Sequence, residues 1–200
     1  RSLAALSSSS YGYFGGGYFF APPGTISDTV YRIDFSNETT SAPGNNLTQA
    51  RSSLAAVSSS SYGYFGGGFF LSPPNTYYDT IDRIDFSNET TSPVTATLPQ
   101  ARSSLAALSS SSYGYFGGGQ VPPNGSQVVD TIDRIDFSNE TTSLFGNVLS
   151  QDRSRLAAVS SSSYGYFGGG LNNSEATVRV DRIDFSNETK TTPGNEQILA

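Results

Sequence analysis

Tyr62-Gly63-Tyr64-Phe65-Gly66-Gly67-Gly68 decides the fold of this chain, because the same seven residues stand at 11–17, 113–119 and 164–170. Successive copies lie 51 residues apart, and the rest of the sequence falls into the same phase. A fixed period of about 20–50 residues marks solenoids, propellers and arrays, whose units bury their apolar faces only by stacking on neighbours. Aromatic residues without helical periodicity favour a strand here. Alternation along it sends Tyr62 and Tyr64 to one side and Phe65 to the other. Gly63 then falls where a side chain would strike the adjacent unit. Gly66 to Gly68 permit a bulged or positive-φ exit from the strand.

Working outward from the heptad, each unit opens with an arginine (Arg1, Arg51, Arg102, Arg153), a run of small and apolar residues, and four serines. Leu105-Ala106-Ala107-Leu108 and its copies read as a first strand, joined to the aromatic second strand by a serine hairpin turn. Downstream lies a variable stretch marked by the proline pairs 22–23, 73–74 and 122–123, and a shorter, proline-free version at 171–177. Its composition predicts a loop. A third strand follows at 28–35, 79–86, 130–137 and 178–185, each copy ending Arg-Ile-Asp-Phe. Ile84 and Phe86 fall on one face of it, Arg83 and Asp85 on the other. Ser-Asn-Glu-Thr makes a polar turn, and a short, weakly specified fourth strand and a second variable loop lead to the next arginine.

Four strands per unit, each antiparallel to the last, form the blade of a β-propeller. A β-solenoid is the rival, but its coils need only about 20–30 residues. The expected fold is therefore all-β: a single repeat array over 1–200, with four-stranded antiparallel blades at about 1–50, 51–101, 102–152 and 153–200. From the third-strand phenylalanine to the next arginine is 16 residues in three cases, and Phe185 plus 16 falls one past Ala200. The sequence thus holds four blades in whole phase, giving either a four-bladed ring or one period of a longer array or filament. We expect the second, with repeats continuing beyond the window; the start at Arg1 reads as a mature product or a segment. The antiparallel order also sorts the connections: constant serine and Ser-Asn-Glu-Thr turns on one face, both variable stretches on the other. Loops on a rigid scaffold are where contacts concentrate.

Leu98-Pro99-Gln100-Ala101-Arg102, Leu105-Ala106-Ala107, Tyr115-Phe116-Gly117-Gly118 and Asp133-Arg134-Ile135-Asp136-Phe137 together resemble a kelch repeat. In that family an arginine precedes the inner strand, a di-glycine closes the second, and an aromatic residue ends the third. The likeness covers the whole chain four times over. One departure concerns the fourth strand, whose kelch tryptophan is missing, the chain having no Trp at all. Highly regular repeats of this kind also look similar to those in fibre proteins of aquatic microbes and their viruses.

Composition narrows the function. A net charge of −6 and a pI near 4.5 argue against nucleic acid and against anionic membrane surfaces. No apolar run is long enough to span a membrane, so no membrane insertion is expected. With 0 Cys and 0 His there is no disulfide framework, and neither a Ser-His-Asp nor a Cys-His arrangement can be built. The triple glycine is no phosphate loop, since neither Lys-Ser/Thr nor a helix follows it. Paired acids of glycosidase type are available, but each recurs in every unit whereas active sites are singular. The chain is expected to be no enzyme and to use no cofactor or metal.

Two sets of residues remain as candidates. Asn37, Asn88, Asn139 and Asn187 each open an Asn-Glu-Thr glycosylation sequon, and Asn46, Asn124 and Asn172 open three more, all in expected turns. The second set is Arg51, Arg102 and Arg153 together with Asp82, Arg83, Asp85, Asp133, Arg134 and Asp136. An arginine between two aspartates is a poor calcium site. Ion pairing from blade to blade, such as Arg102 with Asp82 or Asp85, is the expected use. The sequence reading is thus a structural protein of an extracellular fibre or filament, N-glycosylated, partnered by its own copies or further repeats. Its alternative is a glycan- or receptor-binding propeller of a viral or phage fibre. That reading draws on the aromatic clusters 18–20, 69–70 and 77–78.

Overall fold

The computed structural model describes residues 2–193 apart from 21–23, 72–73, 124 and 174. Four four-stranded antiparallel sheets stand around a common axis as a four-bladed β-propeller, with no helix among the described residues. In each sheet the strands lie in chain order from the axis outward. The first strands are Ala4–Ser7, Ala55–Ser58, Ala106–Ser109 and Ala157–Ser160. The heptad supplies the second: Tyr11–Gly15, Tyr62–Gly66, Tyr113–Gly117 and Tyr164–Gly168. Third strands run Val30–Asp34, Ile81–Asp85, Ile132–Asp136 and Val180–Asp184. The fourth are only two or three residues long, as at Thr142–Leu144.

Register is the same throughout; in the third blade Ala106 pairs with Gly117, Tyr115 with Arg134, and Arg134 with Ser143. Serine makes the first turn work without glycine. Ser110 Oγ accepts from the backbone N–H of Ser112 and Tyr113, at 3.3 and 3.0 Å, replacing the local bonds that Asn-Gly would provide. In the other turn Asp85 Oδ1 accepts from Ser87 N–H and Oγ–H, and Glu89 takes a left-handed φ of 60°.

The first variable stretch departs from the expected plain loop. It contains a two-stranded hairpin in every blade: Tyr18–Phe19 with Thr25–Ile26, Phe69–Phe70 with Thr76–Tyr77, Gln120–Val121 with Gln127–Val128, and Leu171–Asn172 with Glu175–Ala176. Each first hairpin strand in blades two to four is tied to the incoming chain by a bridge such as Ser103 to Gln120. Pro122-Pro123, the pair that is described whole, sits at the hairpin tip, where no ladder donor is needed; Pro22, Pro23 and Pro73 lie outside the described residues.

The core lies between blades. Tyr64, Phe65, Ile81, Ile84, Tyr115, Phe116 and Ile135 are all fully buried. Both faces of an inner blade are covered by its neighbours, which is why near-continuous apolar strands are required.

Candidate functional site

The heptad is an interlocking device. Tyr64 faces the next blade, stacking on Phe137 with ring centroids 5.4 Å apart, while Phe65 faces the preceding blade. There it fills the space over Gly15, where a Cβ would come within 2.7 Å of the ring. Gly63 in turn receives Leu6 of the preceding blade, which a Cβ would meet at 2.6 Å. The same fit recurs at the next two junctions, with Phe116 over Gly66 and Val57 at Gly114, then Phe167 over Gly117 and Leu108 at Gly165. Of the glycines at the strand exit, Gly67 has φ +70°, and Gly68 has φ +106° and donates to Arg102 O at 2.9 Å.

A polar clasp overlies each of these junctions. Glu140, from the Ser-Asn-Glu-Thr turn, accepts from Tyr64 Oη at 3.1 Å and pairs with Arg83 at 3.0 Å. Glu89 does the same for Tyr13 and Arg32, and Glu188 for Tyr115 and Arg134. Burial, followed by the adjacent carboxylate, pushes all three tyrosine hydroxyls upward in pKa. Arg83 therefore pairs across the junction, though with a glutamate. Sequence reasoning passed over these glutamates as part of a turn. The available signal was a carboxylate kept in all four copies of a turn that needs only Asn and Thr.

The arginines that open the blades are used differently from expectation. Arg102 does not reach Asp82 or Asp85 in the neighbouring blade. It pairs with Asp133 of its own blade and donates to Phe116 O at 3.0 Å and Thr131 Oγ1 at 2.6 Å. Arg51 pairs with Asp82 at 2.8 Å and Arg153 with Asp181 at 2.6 Å, every partner buried. The side chain spans its own blade because its backbone is already held by the preceding one, through Arg102 N to Tyr78 O and Gly68 N to Arg102 O. Among the described residues Asp85 and Asp136 pair with no arginine; they tie down Ser87 and Ser138, which draws both carboxyls below the usual range.

One of the buried carboxylates is less well satisfied than the other two. Thr48, from the loop of the first blade, donates its N–H and hydroxyl to Asp82 of the second, and Ser150 does likewise for Asp181. The equivalent residue before Asp133 is Pro99, which has neither donor. Burial accordingly pushes the Asp133 carboxyl up to about 6 against the pull of Arg102.

The sequon residues Asn37, Asn88, Asn139 and Asn187 are all exposed. In each, Oδ1 accepts from the threonine N–H and hydroxyl two residues on, as in Asn88 to Thr90 at 2.9 and 2.7 Å. Among the described residues their Nδ2 groups donate to nothing. Asn46 is exposed, but its sequon threonine is Thr48, occupied by Asp82. Asn172 is half-buried, and Asn124 and Ser174 lie outside the described residues.

On the face that carries the variable hairpins, a basin of about 820 Å³ opens over the axis. Leu3, Phe20 and Leu71 contribute exposed apolar surface to it, Phe20 at 62% exposure, and Arg155 is the one charged residue among the described residues of its wall. Ser2, Ser53, Ser104 and Arg155 stand at equivalent places on its floor with φ between 56° and 61°, unusual for residues with a side chain. The reason is visible in the hydrogen bonds: Ser53 N donates to Ser2 O, Ser104 N to Ser53 O, and Arg155 N to Ser104 O. The left-handed turn aims each N–H at the preceding blade. The serine turns adjoin the Ser-Asn-Glu-Thr turns, and variation is not confined to the other side as expected: in the second variable stretch Asn45 Nδ2 donates to Glu89 O at 2.8 Å and Asn147 Nδ2 to Glu188 O at 3.0 Å, both in the constant turn of the next blade. Among the described residues no group of three or more acidic side chains is placed to hold a metal ion.

No known protein family and no curated protein matches this sequence. Among solved structures the chain is similar to that of YjhT, with TM-score 0.80 and 12% identity, covering 100% of this chain and 68% of that one. At that identity the likeness speaks for the fold, a β-propeller.

Proposed function

We propose that this chain is a structural protein, a tandem array of kelch-like propeller blades built into an extracellular fibre or filament. One observation carries the reading: the charged and aromatic residues repeated in every blade serve packing. At the filled junctions the repeated arginines, aspartates, glutamates and tyrosines are committed to contacts within a blade or between blades. The exposed Asn-Glu-Thr turns, with free carboxamide N–H groups, are the sites at which we expect N-linked glycans. Electron microscopy of native material tests the role: regular filaments support it, and isolated discs count against it. Intact mass before and after removal of N-glycans tests the modification, and an unchanged mass ends it.

The axial basin favours a second reading, a binding module for a glycan or receptor. Its exposed Phe20 and Leu71, serine floor and Arg155 provide apolar contact with a few polar groups, the usual make-up of a ligand site. A glycan array decides this, and silence across it would remove the glycan form of the idea.

A further inference from the structure

We infer that the two ends of the blade series are complementary docking surfaces, and that a second copy of this chain occupies them head to tail. The inference rests on the structural reading above and names its partner.

The three filled junctions use one set of contacts in one direction. The leading blade supplies a tyrosine, an arginine, an aliphatic residue and a receiving glycine, for example Tyr115, Arg134, Leu108 and Gly117. The following blade supplies a phenylalanine on that tyrosine, a glutamate on that arginine, a glycine for the aliphatic and a phenylalanine for the glycine. Here these are Phe185, Glu188, Gly165 and Phe167.

Blade four carries the whole leading set: Tyr166, Arg182, Val159 and Gly168. Blade one carries the whole following set: Phe35, Glu38, Gly12 and Phe14. Among the described residues these two sets do not meet. Val159 is 66% exposed and Phe14 37%, whereas their counterparts Val57, Phe65 and Phe116 are buried; Phe35 is 51% exposed, whereas its counterparts Phe86 and Phe137 are partly buried. The three atoms nearest to a Cβ on Gly12 all belong to Ile33 and Phe35 of its own blade. The backbone stitch ends in the same way: Ser2 N donates to no carbonyl, and Arg155 O accepts from no N–H, among the described hydrogen bonds.

Each end is therefore half of a junction the molecule already makes three times, with its own charge complement in Arg182 and Glu38. Such a contact is heterologous: it closes a ring where the rotation permits and otherwise propagates as a filament. Two copies bring eight blades together, still within the propeller range of about four to eight.

Sedimentation equilibrium across the micromolar range tests the proposal with the whole chain. The expected result is a mass that rises with concentration above 21.1 kDa. Glu38→Arg and Arg182→Glu should each weaken association by roughly tenfold or more, because like charges then face each other. An equimolar mixture of the two variants should associate again, since Arg182 of one meets Glu38 of the other and the reversed pair also matches. Circular dichroism confirms that both variants stay folded. A monomer at every concentration overturns the inference and leaves the ends to further blades in the same polypeptide or to a foreign partner. Association that ignores both charge reversals, or a mixture that stays apart, overturns the head-to-tail pairing. Native filaments combined with a monomeric purified chain would keep the structural role and discard self-docking.

Discussion

Val57 and Val159 occupy the same position of the same repeat, yet one is 3% exposed and the other 66%. Nothing in the local sequence separates them: both follow Leu-Ala-Ala and precede four serines. The difference is whether a following blade brings up its glycine, as Gly114 does for Val57. Phe65 and Phe14 repeat the lesson, buried and 37% exposed respectively, because only Phe65 has a blade in front of it. Stability in this architecture therefore belongs to junctions. Nearest-neighbour interfaces contribute it additively in repeat proteins, and a blade at an end lacks one of them.

Substitutions at filled junctions and at free ends should accordingly diverge. The largest effect is expected at Arg102→Met, which leaves Asp133 buried without its partner and should cost about 3–5 kcal/mol in urea unfolding. Its pH dependence has a definite sign. The folded-state pKa of Asp133 is raised above its unfolded value, so stability is lost as pH rises through about 6. The deficit should be greater at neutral pH than in mildly acidic buffer; equal deficits would show that the aspartate is not the source.

Gly114→Ala places a methyl group 2.6 Å from Val57 and 2.9 Å from Ile135, and overpacking of this kind costs about 1–3 kcal/mol. Gly12→Ala has side chains of its own blade as its nearest neighbours, the closest at 3.0 Å, and should cost less in a dilute monomer. Thermal melts of the two variants compare a filled junction with an open one directly. Equal losses would place the strain within the blade.

Smaller again is the clasp. Glu140→Gln weakens a partly exposed ion pair and its tyrosine bond, for an expected loss of about 1 kcal/mol, while Glu38→Gln should leave the monomer unchanged. The smallest change expected is a gain. Pro99→Thr supplies the two donors that Asp82 receives from Thr48, and should stabilise by up to about 1 kcal/mol at neutral pH. The gain should fade as pH falls and Asp133 protonates; a loss at all pH values would mean that the loop relies on proline for its path.

Much of this was legible in the residues. The 51-residue phase and the strand pattern follow from periodicity and antiparallel connection alone. The glycines of the heptad could also be read as clearance for a neighbour. The partner of Arg102 could not, because Asp82 and Asp133 stand in identical sequence surroundings and only the path of the backbone says which is near. The role of Glu140 was hidden for a related reason: its carboxylate acts on residues 57 and 76 positions earlier. The hairpins within the variable stretches were obscured by the proline and glycine in those stretches.

What the sequence by itself determined is the unit: four strands, an interlocking aromatic-glycine heptad and a surface of constant turns, all dictated by local alternation and a fixed repeat. Only the tertiary structure decided which of four chemically identical faces are covered. Burial is a property of neighbours, and the same residues are core between blades and exposed at the ends.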